Sequence, residues 1–326
     1  MASIQIGQHT LKSFDITTKE TMQHYLKELS SDISDYTFAA NFIWLSNSTG
    51  FFAIIEDCFC LFALSGGELA MLLPPIGKKE YQHKAILECF KIMNENNSSL
   101  YYSKIEYVDE RMLENFVESL EEGTVIFDAL QDYVIEKKLV DYIYSSDKLI
   151  ELKGKAFHSK RNEINKFNIV YSDYEIVRLN AQEHSVQIMQ LFNKWVSDRI
   201  KYMPKEEADI FLDGIFQEKH AVQRMLKFFD ELNLIGIVIY INGEIKGFTV
   251  GEKINETTSS VIIEKTDFEV LGCAQFIFRE FSKLLKEYYG TEYINIGDDM
   301  GFENLKKVKM SYRPDRLIPK YTIYQK

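Results

Sequence analysis

Cysteine is scarce in this chain, and its spacing suits neither bridges nor metal. Cys58, Cys60, Cys89 and Cys273 include no C-x-x-C pair and have no histidine at zinc-finger distance, so no disulfide framework and no metal site is expected. Cys58 and Cys60, two apart, are read as small apolar side chains on one face of a strand. Long apolar runs are lacking too. The most apolar stretch, residues 51–73, is interrupted by Glu56, Asp57 and Glu68 well short of a bilayer-spanning length, and no basic region followed by an apolar core opens the chain. A transmembrane segment is therefore not expected, and the cytoplasm is the expected compartment. Positive charge is the minority sign, with 38 Lys and Arg against 49 Asp and Glu for a net charge of −11, which argues against a surface that grips nucleic acid or anionic lipid throughout.

What is present is ample for a buried core. With 326 residues, 46% of them hydrophobic and 13% aromatic, the chain is expected to form two domains. Residues 19–30 carry Met22, Tyr25, Leu26 and Leu29 at helical spacing, with Thr17 or Thr18 as N-cap. Residues 38–44, 50–56, 58–65 and 69–73 are short aromatic and β-branched runs between turn residues, the punctuation of antiparallel hairpins, and Pro74 and Pro75 end that sheet. A helix over 78–94, a strand over 100–107 and a helix over 110–120 come next. The second half repeats this grammar: a strand over 174–179, helices over 183–198 and 209–229, and strands over 234–241, 245–252 and 259–264 with an Asn242-Gly243 turn. A helix over 272–289 and a strand over 293–296 complete it. The repeat is one of architecture, which predicts tandem α/β (α+β) domains over 1–155 and 156–326, each a mixed, mainly antiparallel sheet flanked by helices.

That element order matches the GNAT acyltransferase domain, in which the fourth and fifth strands splay apart. Here the splay is expected after Glu264, and Gly272, Cys273 and Ala274 would open the next helix with free backbone N–H groups for an anionic or carbonyl group, as in cofactor binding. Equally, Gly272 could be a plain loop-to-helix transition. Glu264 closes an apolar run, with Asp267 nearby. A carboxylate there could hold or deprotonate an amine, or it could pair with Lys265 in solvent.

Charge is partitioned along the chain. Between 153 and 167 five basic residues stand against Glu163 alone, and from 306 onward Lys306, Lys307, Lys309, Arg313, Arg316, Lys320 and Lys326 stand against Asp315 alone. Residues 106–122 are acidic. Basic segments near a cleft can attract a phosphate-bearing partner despite the negative total. A tRNA acceptor end, coenzyme A or a phospholipid head group would each qualify, the last through peripheral lipid contact. As a solvated face, the same charges would need no partner.

Residues 293–314, with Asn295, Gly297, Asp298, Asp299, Gly301, Leu305, Lys306, Lys309, Ser311, Tyr312 and Pro314, resemble a known family. The pattern is similar to that of the C-terminal domain of phosphatidylglycerol lysyltransferases. A second hallmark is also similar: Tyr142 and Tyr144, then Leu152, Gly154 and Lys155, then Arg161 and Asn162. The resemblance spans nearly the whole chain and implies a tandem GNAT-like fold and an aminoacyl-tRNA donor. It further implies that Glu264, Asp298 and Asp299 recognise an amino group, that Lys309, Tyr312 and Arg313 face phosphate or the reacting carbonyl, and that Lys155, Arg161 and Asn165 line the other wall. Glu264, Lys309 and Tyr312 are thus the expected catalytic residues. The family's enzymes carry a multi-span membrane domain that this sequence lacks, which puts the lipid acceptor in doubt more than the donor. The expected activity is transfer of an aminoacyl or acyl group, from aminoacyl-tRNA or acyl-CoA, to an amine or hydroxyl, without a metal. Two alternatives stand beside it: a Fem-type peptide aminoacyltransferase, and a non-catalytic module that binds a small ligand or nucleotide. The 268–274 loop only approximates the phosphate-cradling loop of acyl-CoA enzymes, which weakens coenzyme A as donor.

Overall fold

A computed structural model describes residues 3–45, 49–113, 133–201 and 205–325. In chain order the first half runs β1 (Ser3–Ile6), β2 (His9–Ser13), α1 (Lys19–Leu26), α2 (Phe38–Trp44), β3 (Thr49–Ile55), β4 (Cys58–Ser65), β5 (Glu68–Met71), α3 (Lys79–Asn96), β6 (Lys104–Asp109), α4 (Glu110–Leu113) and β7 (Tyr133–Ser145). The second half runs α5 (Ser146–Glu151), α6 (His158–Val170), β8 (Glu175–Arg178), α7 (Ala181–Ile200), α8 (Lys205–Lys227), β9 (Ile235–Ile241), β10 (Glu244–Lys253), β11 (Thr258–Thr266), α9 (Cys273–Tyr289), β12 (Tyr293–Asn295), α10 (Glu303–Met310) and β13 (Arg316–Gln325).

Two compact units result. The first comprises residues 1–141, 298–301 and 318–326, and the second comprises 142–297 and 302–317. The expected division at 155 therefore moves to 141, within β7, and the chain's last strand returns to the first unit instead of ending the second. A strand can contribute to a distant unit because its pairing is set by register and not by sequence neighbourhood.

In the first unit the strand order is β1-β2-β3-β4-β5-β6-β13-β7, antiparallel from β1 to β5 and between β6 and β13, with β5 and β6 parallel. Cys58, Cys60 and Cys89 are fully buried in its core. One element departs from the sequence reading. Residues 38–44, expected as a strand from their aromatic and β-branched content, form α2. Thr37 Oγ1 accepts from Ala40 N at 3.1 Å, and Asn41 Nδ2 donates to the Asp35 and Thr37 carbonyls at 2.7 and 2.8 Å. Phe38, Ala39, Phe42 and Ile43 all turn inward, a helical and not an alternating pattern. Thr37→Ala is expected to cost about 1 kcal/mol through loss of this cap, measurable by urea unfolding. The strand expected over 100–107 is a short turn leading into β6, and residues 114–120 of the expected helix lie outside the described residues.

In the second unit the order is β7-β12-β11-β10-β9-β8, antiparallel except for the parallel pair β11 and β12. Its core joins Tyr142 and Tyr144 of β7, the isoleucines of β9, and Phe276, Ile277 and Phe281 of α9. Each unit is thus a mixed, mainly antiparallel sheet with helices, as expected.

Candidate active site

The parallel pair of the second unit is short. Strand β12 meets β11 only at Thr258–Ser260, so from Val261 onward β11 keeps β10 as its single neighbour. The splay therefore begins at Val261, three residues before Glu264, and not after it. In the same stretch the register slips: Val250 faces Ile263 and Gly251 faces Val261, which leaves Ile262 as an extra, bulged residue. The bulge re-aims the side chains beyond it. Val261 and Glu264 come to the face they share with Gly251 and Thr249, and Thr249 stands directly opposite Glu264.

Helix α9 packs on that face. A Cβ on Gly251 would lie 3.1 Å from the Phe281 ring and 2.1 Å from the Ser260 carbonyl oxygen, so only glycine allows this approach. Cys273, in the first turn of α9, is buried near Glu264. Tyr312, just after α10, is nearly buried and sits edge-on to Tyr144 and Phe278 at 6.5 and 5.1 Å between ring centres. The Lys160 ammonium of α6 lies 4.0 Å from the centre of the Tyr312 ring. Glu264, Thr249, Cys273, Tyr312 and Lys160 thus gather at the splay.

Glu264 dominates the electrostatics. Its Oε2 is closed off from solvent and makes no hydrogen bond, and burial pushes its carboxyl up to about 8 against the opposing charge of Lys265. Lys265 points to the other side of the strand, where it bridges Glu218 at 2.7 Å and lies 4.0 Å from the centre of a Trp195 ring. The exposed Glu264–Lys265 pair considered from sequence therefore does not form. Thr249 is fully buried, and its Oγ1 likewise has no partner among the described residues. Burial, and then the Glu264 carboxylate, raise both the Tyr312 phenol and the Cys273 thiol. No hydrogen bond joins Tyr312 Oη to any described residue.

The other sequence-predicted residues divide by what holds them. Lys309 is nearly buried, and its ammonium donates to the Ile296 and Gly297 carbonyls at 2.6 and 3.0 Å, so it clamps the turn after β12 and is not a free cation. Arg161 donates to the Leu152 and Gly154 carbonyls, pinning the left-handed turn that ends α5. Asp298 and Asp299 belong to the first unit, where they accept from the Met300 and Gly301 amides at 2.8 and 2.9 Å. Asp298 also meets the Lys320 ammonium at 2.6 Å. Lys155, Asn165 and Arg313 are exposed, and Arg313 takes a left-handed backbone with φ 56°.

Gly272 caps α9 with φ 74°, but the space before it is filled. A Cβ there would lie 2.1 Å from the Glu163 carbonyl oxygen, because α6 lies across this helix end and stacks Phe167 on Phe276 at 4.3 Å. Gly272→Ala is expected to destabilise the protein by about 2–4 kcal/mol, from overpacking together with the positive φ, as read by thermal or urea unfolding.

Lys160 lies in the basic run over 153–167, but the sequence reading assigns it no site role, and Thr249 is not singled out. Lys160 carried a usable signal, since with Ile164 and Phe167 it falls on the i, i+4, i+7 stripe of α6, and both apolar members are buried. Thr249 carried none.

Among the described residues, Asp35, Asp141 and Asp298 of the first unit have carboxylate oxygens close enough to share a cation. Lys320 Nζ already lies there, at 2.7, 3.0 and 2.6 Å from the three. No described helix is long and apolar enough to cross a membrane.

Comparison with known proteins bears on the fold and the family. A solved protein of unknown function from Bacteroides thetaiotaomicron is 27% identical, with a TM-score of 0.79 over 99% of this chain and all of that one. The L-PGS of Bacillus licheniformis is 15% identical, with a TM-score of 0.65 over 96% of this chain and 93% of that chain. A tandem GNAT protein from the clavulanic acid biosynthesis pathway is 9% identical, with a TM-score of 0.51 over 96% of this chain and 97% of that one, and supports the tandem GNAT-like fold. An uncharacterised protein of Mycoplasmoides gallisepticum is 23% identical over 192 residues, which span 58% of this chain and only 58% of that relative's length. Residues 26–324 match the family described as phosphatidylglycerol lysyltransferase, C-terminal, and the chain belongs to that family.

Proposed function

We propose that the second unit transfers an aminoacyl group from an activated ester to an amine or hydroxyl acceptor, with Glu264 as the general base. The observation that carries this reading is the enclosed, unbonded Oε2 of Glu264 at the splay of β11 from β12. A carboxylate whose proton affinity is raised to about 8 is a stronger base than an exposed one and is still ionised often enough to act near neutrality. Glu264 takes the proton from the acceptor as the new bond to the carbonyl carbon forms. The ester C–O bond then breaks, and the proton passes to the departing hydroxyl. Tyr312, whose hydroxyl has no other partner among the described residues, donates a hydrogen bond to the carbonyl oxygen as it gains charge.

The family to which the chain belongs supports an acyl-transfer reading. An ester donor is favoured over an acyl-CoA thioester because α6 occupies the approach to the α9 N-terminus at Gly272, where a pyrophosphate would otherwise meet free amides. The exposed Lys155, Lys306, Lys307 and Arg313 suit a donor that carries phosphates, such as a tRNA acceptor end. The test is transfer of radiolabelled amino acid from a panel of aminoacyl-tRNAs to amine and hydroxyl acceptors. Label transfer that Glu264→Gln abolishes supports the proposal, and no transfer from any donor sinks it in favour of a non-catalytic binding module.

A further inference from the structure

Among the described residues, most lysines that are buried or half-buried have counter-groups. Lys320 has three carboxylates, Lys194 has Asp198, Asp267 and Glu269 at 2.7–3.0 Å, Lys265 has Glu218, and Lys309 has two carbonyl oxygens. Lys160 has the face of Tyr312 and nothing else: among the described residues no carboxylate or carbonyl lies within bonding distance of its ammonium. Its nearest acid on α6, Glu163, is engaged by Lys166 at 3.2 Å.

A half-buried cation with only an aromatic face for company is incompletely compensated. The ring's attraction is weaker than that of a charge partner at the same depth. Lys160 nonetheless sits on the buried stripe of α6, where an apolar side chain would pack without that cost. Its position against the Tyr312 ring gives the cost a use.

We propose that Lys160 is an anion-binding residue of this cleft and that the molecule bound there places a phosphate or carboxylate oxygen against its ammonium. The inference rests on the cleft being the transfer site, and it narrows the substrate to one that bears an anionic group within a side chain's length of the reacting centre. A lysine in this position acts as a point charge that draws the substrate in and fixes its orientation. Burial already lowers the affinity of Lys160 for its proton, with Glu163 opposing, and a bound anion would reverse that shift.

The test reads binding and not turnover, so its failure is separable from that of the transfer reading. Lysines are reductively methylated with 13C-formaldehyde, the Lys160 signal is assigned by its loss in Lys160→Arg, and the folded wild-type protein is titrated with inorganic phosphate and, separately, acetate. A saturable movement of the Lys160 signal, with a raised titration midpoint, is expected. Response to phosphate alone assigns a phosphate group, to acetate alone a carboxylate, and to both an unselective anion site; each supports the proposal. Thermal stabilisation by the responding anion should weaken at least about tenfold in apparent affinity in Lys160→Gln. A Lys160 signal that moves with neither anion, or no more than that of the exposed Lys153, overturns it. If the signal responds but no aminoacyl-tRNA is used, Lys160 remains an anion site and the transfer reading alone is lost.

Discussion

Lys320→Met is expected to destabilise the first unit by about 3–5 kcal/mol. The lysine is 1% exposed, and its ammonium is the common partner of Asp35, Asp141 and Asp298 at 2.7, 3.0 and 2.6 Å, with the Tyr107 ring 4.6 Å away. Removing it leaves three carboxylates facing one another, one of them fully buried. Hydrogen bonds from Ser34 N and Oγ, both 2.8 Å from Asp141 Oδ2, would still hold that one acid. Asp35 would adapt more readily, because burial has already pushed its carboxyl up to about 6 despite the neighbouring ammonium. The loss should therefore be largest above pH 7 and shrink toward pH 5, as the remaining carboxylates take up protons and repel one another less. Urea unfolding of wild type and variant at pH 5 and pH 8 measures this. Equal destabilisation at both would mean that lost packing, and not charge, sets the cost.

Glu264→Gln is expected to lower transfer by about 10²–10⁴-fold with little change in substrate binding. Gln keeps the shape and cannot accept the proton. In the wild type the rate should rise with pH and level off above about 8, where the carboxylate is ionised, and this limb should vanish in the variant. Stability gives an independent readout. The ordinary carboxyl value is 4.5 and the folded value about 8, so between these the folded protein retains a proton that the unfolded chain has released. Stability therefore falls as pH rises through that window, and Glu264→Gln should flatten the slope and be the more stable form above pH 8. A variant with wild-type transfer rates would remove Glu264 from the chemistry, and an unchanged slope would remove the perturbed carboxyl.

Much of the second unit was legible because its elements are long and locally consistent. The stripe of α9 and the Asn242-Gly243 hairpin were placed to within two residues. In the first unit, α2 was misread because Phe, Ile and Trp suit strands, whereas the Thr37 cap and the two-turn stripe decide for helix. Strands β1, β2, β13 and also β7 were not anticipated. The first two are a short polar edge, and the third lies in a basic tail whose apolar residues pack only because it returns to β6.

The site residues show the same limit. Glu264 and Tyr312 were named, and the fold brings them together. Lys309 and Arg161 were named from the same family hallmarks, but the structure shows them as backbone clamps, a role that their residue types in a motif could not separate from catalysis.

The sequence alone therefore determined the class of fold, the order of its main elements and the family, because each of these rests on local periodicity or a contiguous motif. Tertiary structure decided where the units divide, which way Glu264 points and which cations remain uncompensated. Those depend on a single bulged residue at Ile262, on a last strand that pairs far from its neighbours, and on the distance from each ammonium to the oxygens around it. Long-range pairing and burial fix all three, and neither leaves a mark in residue order.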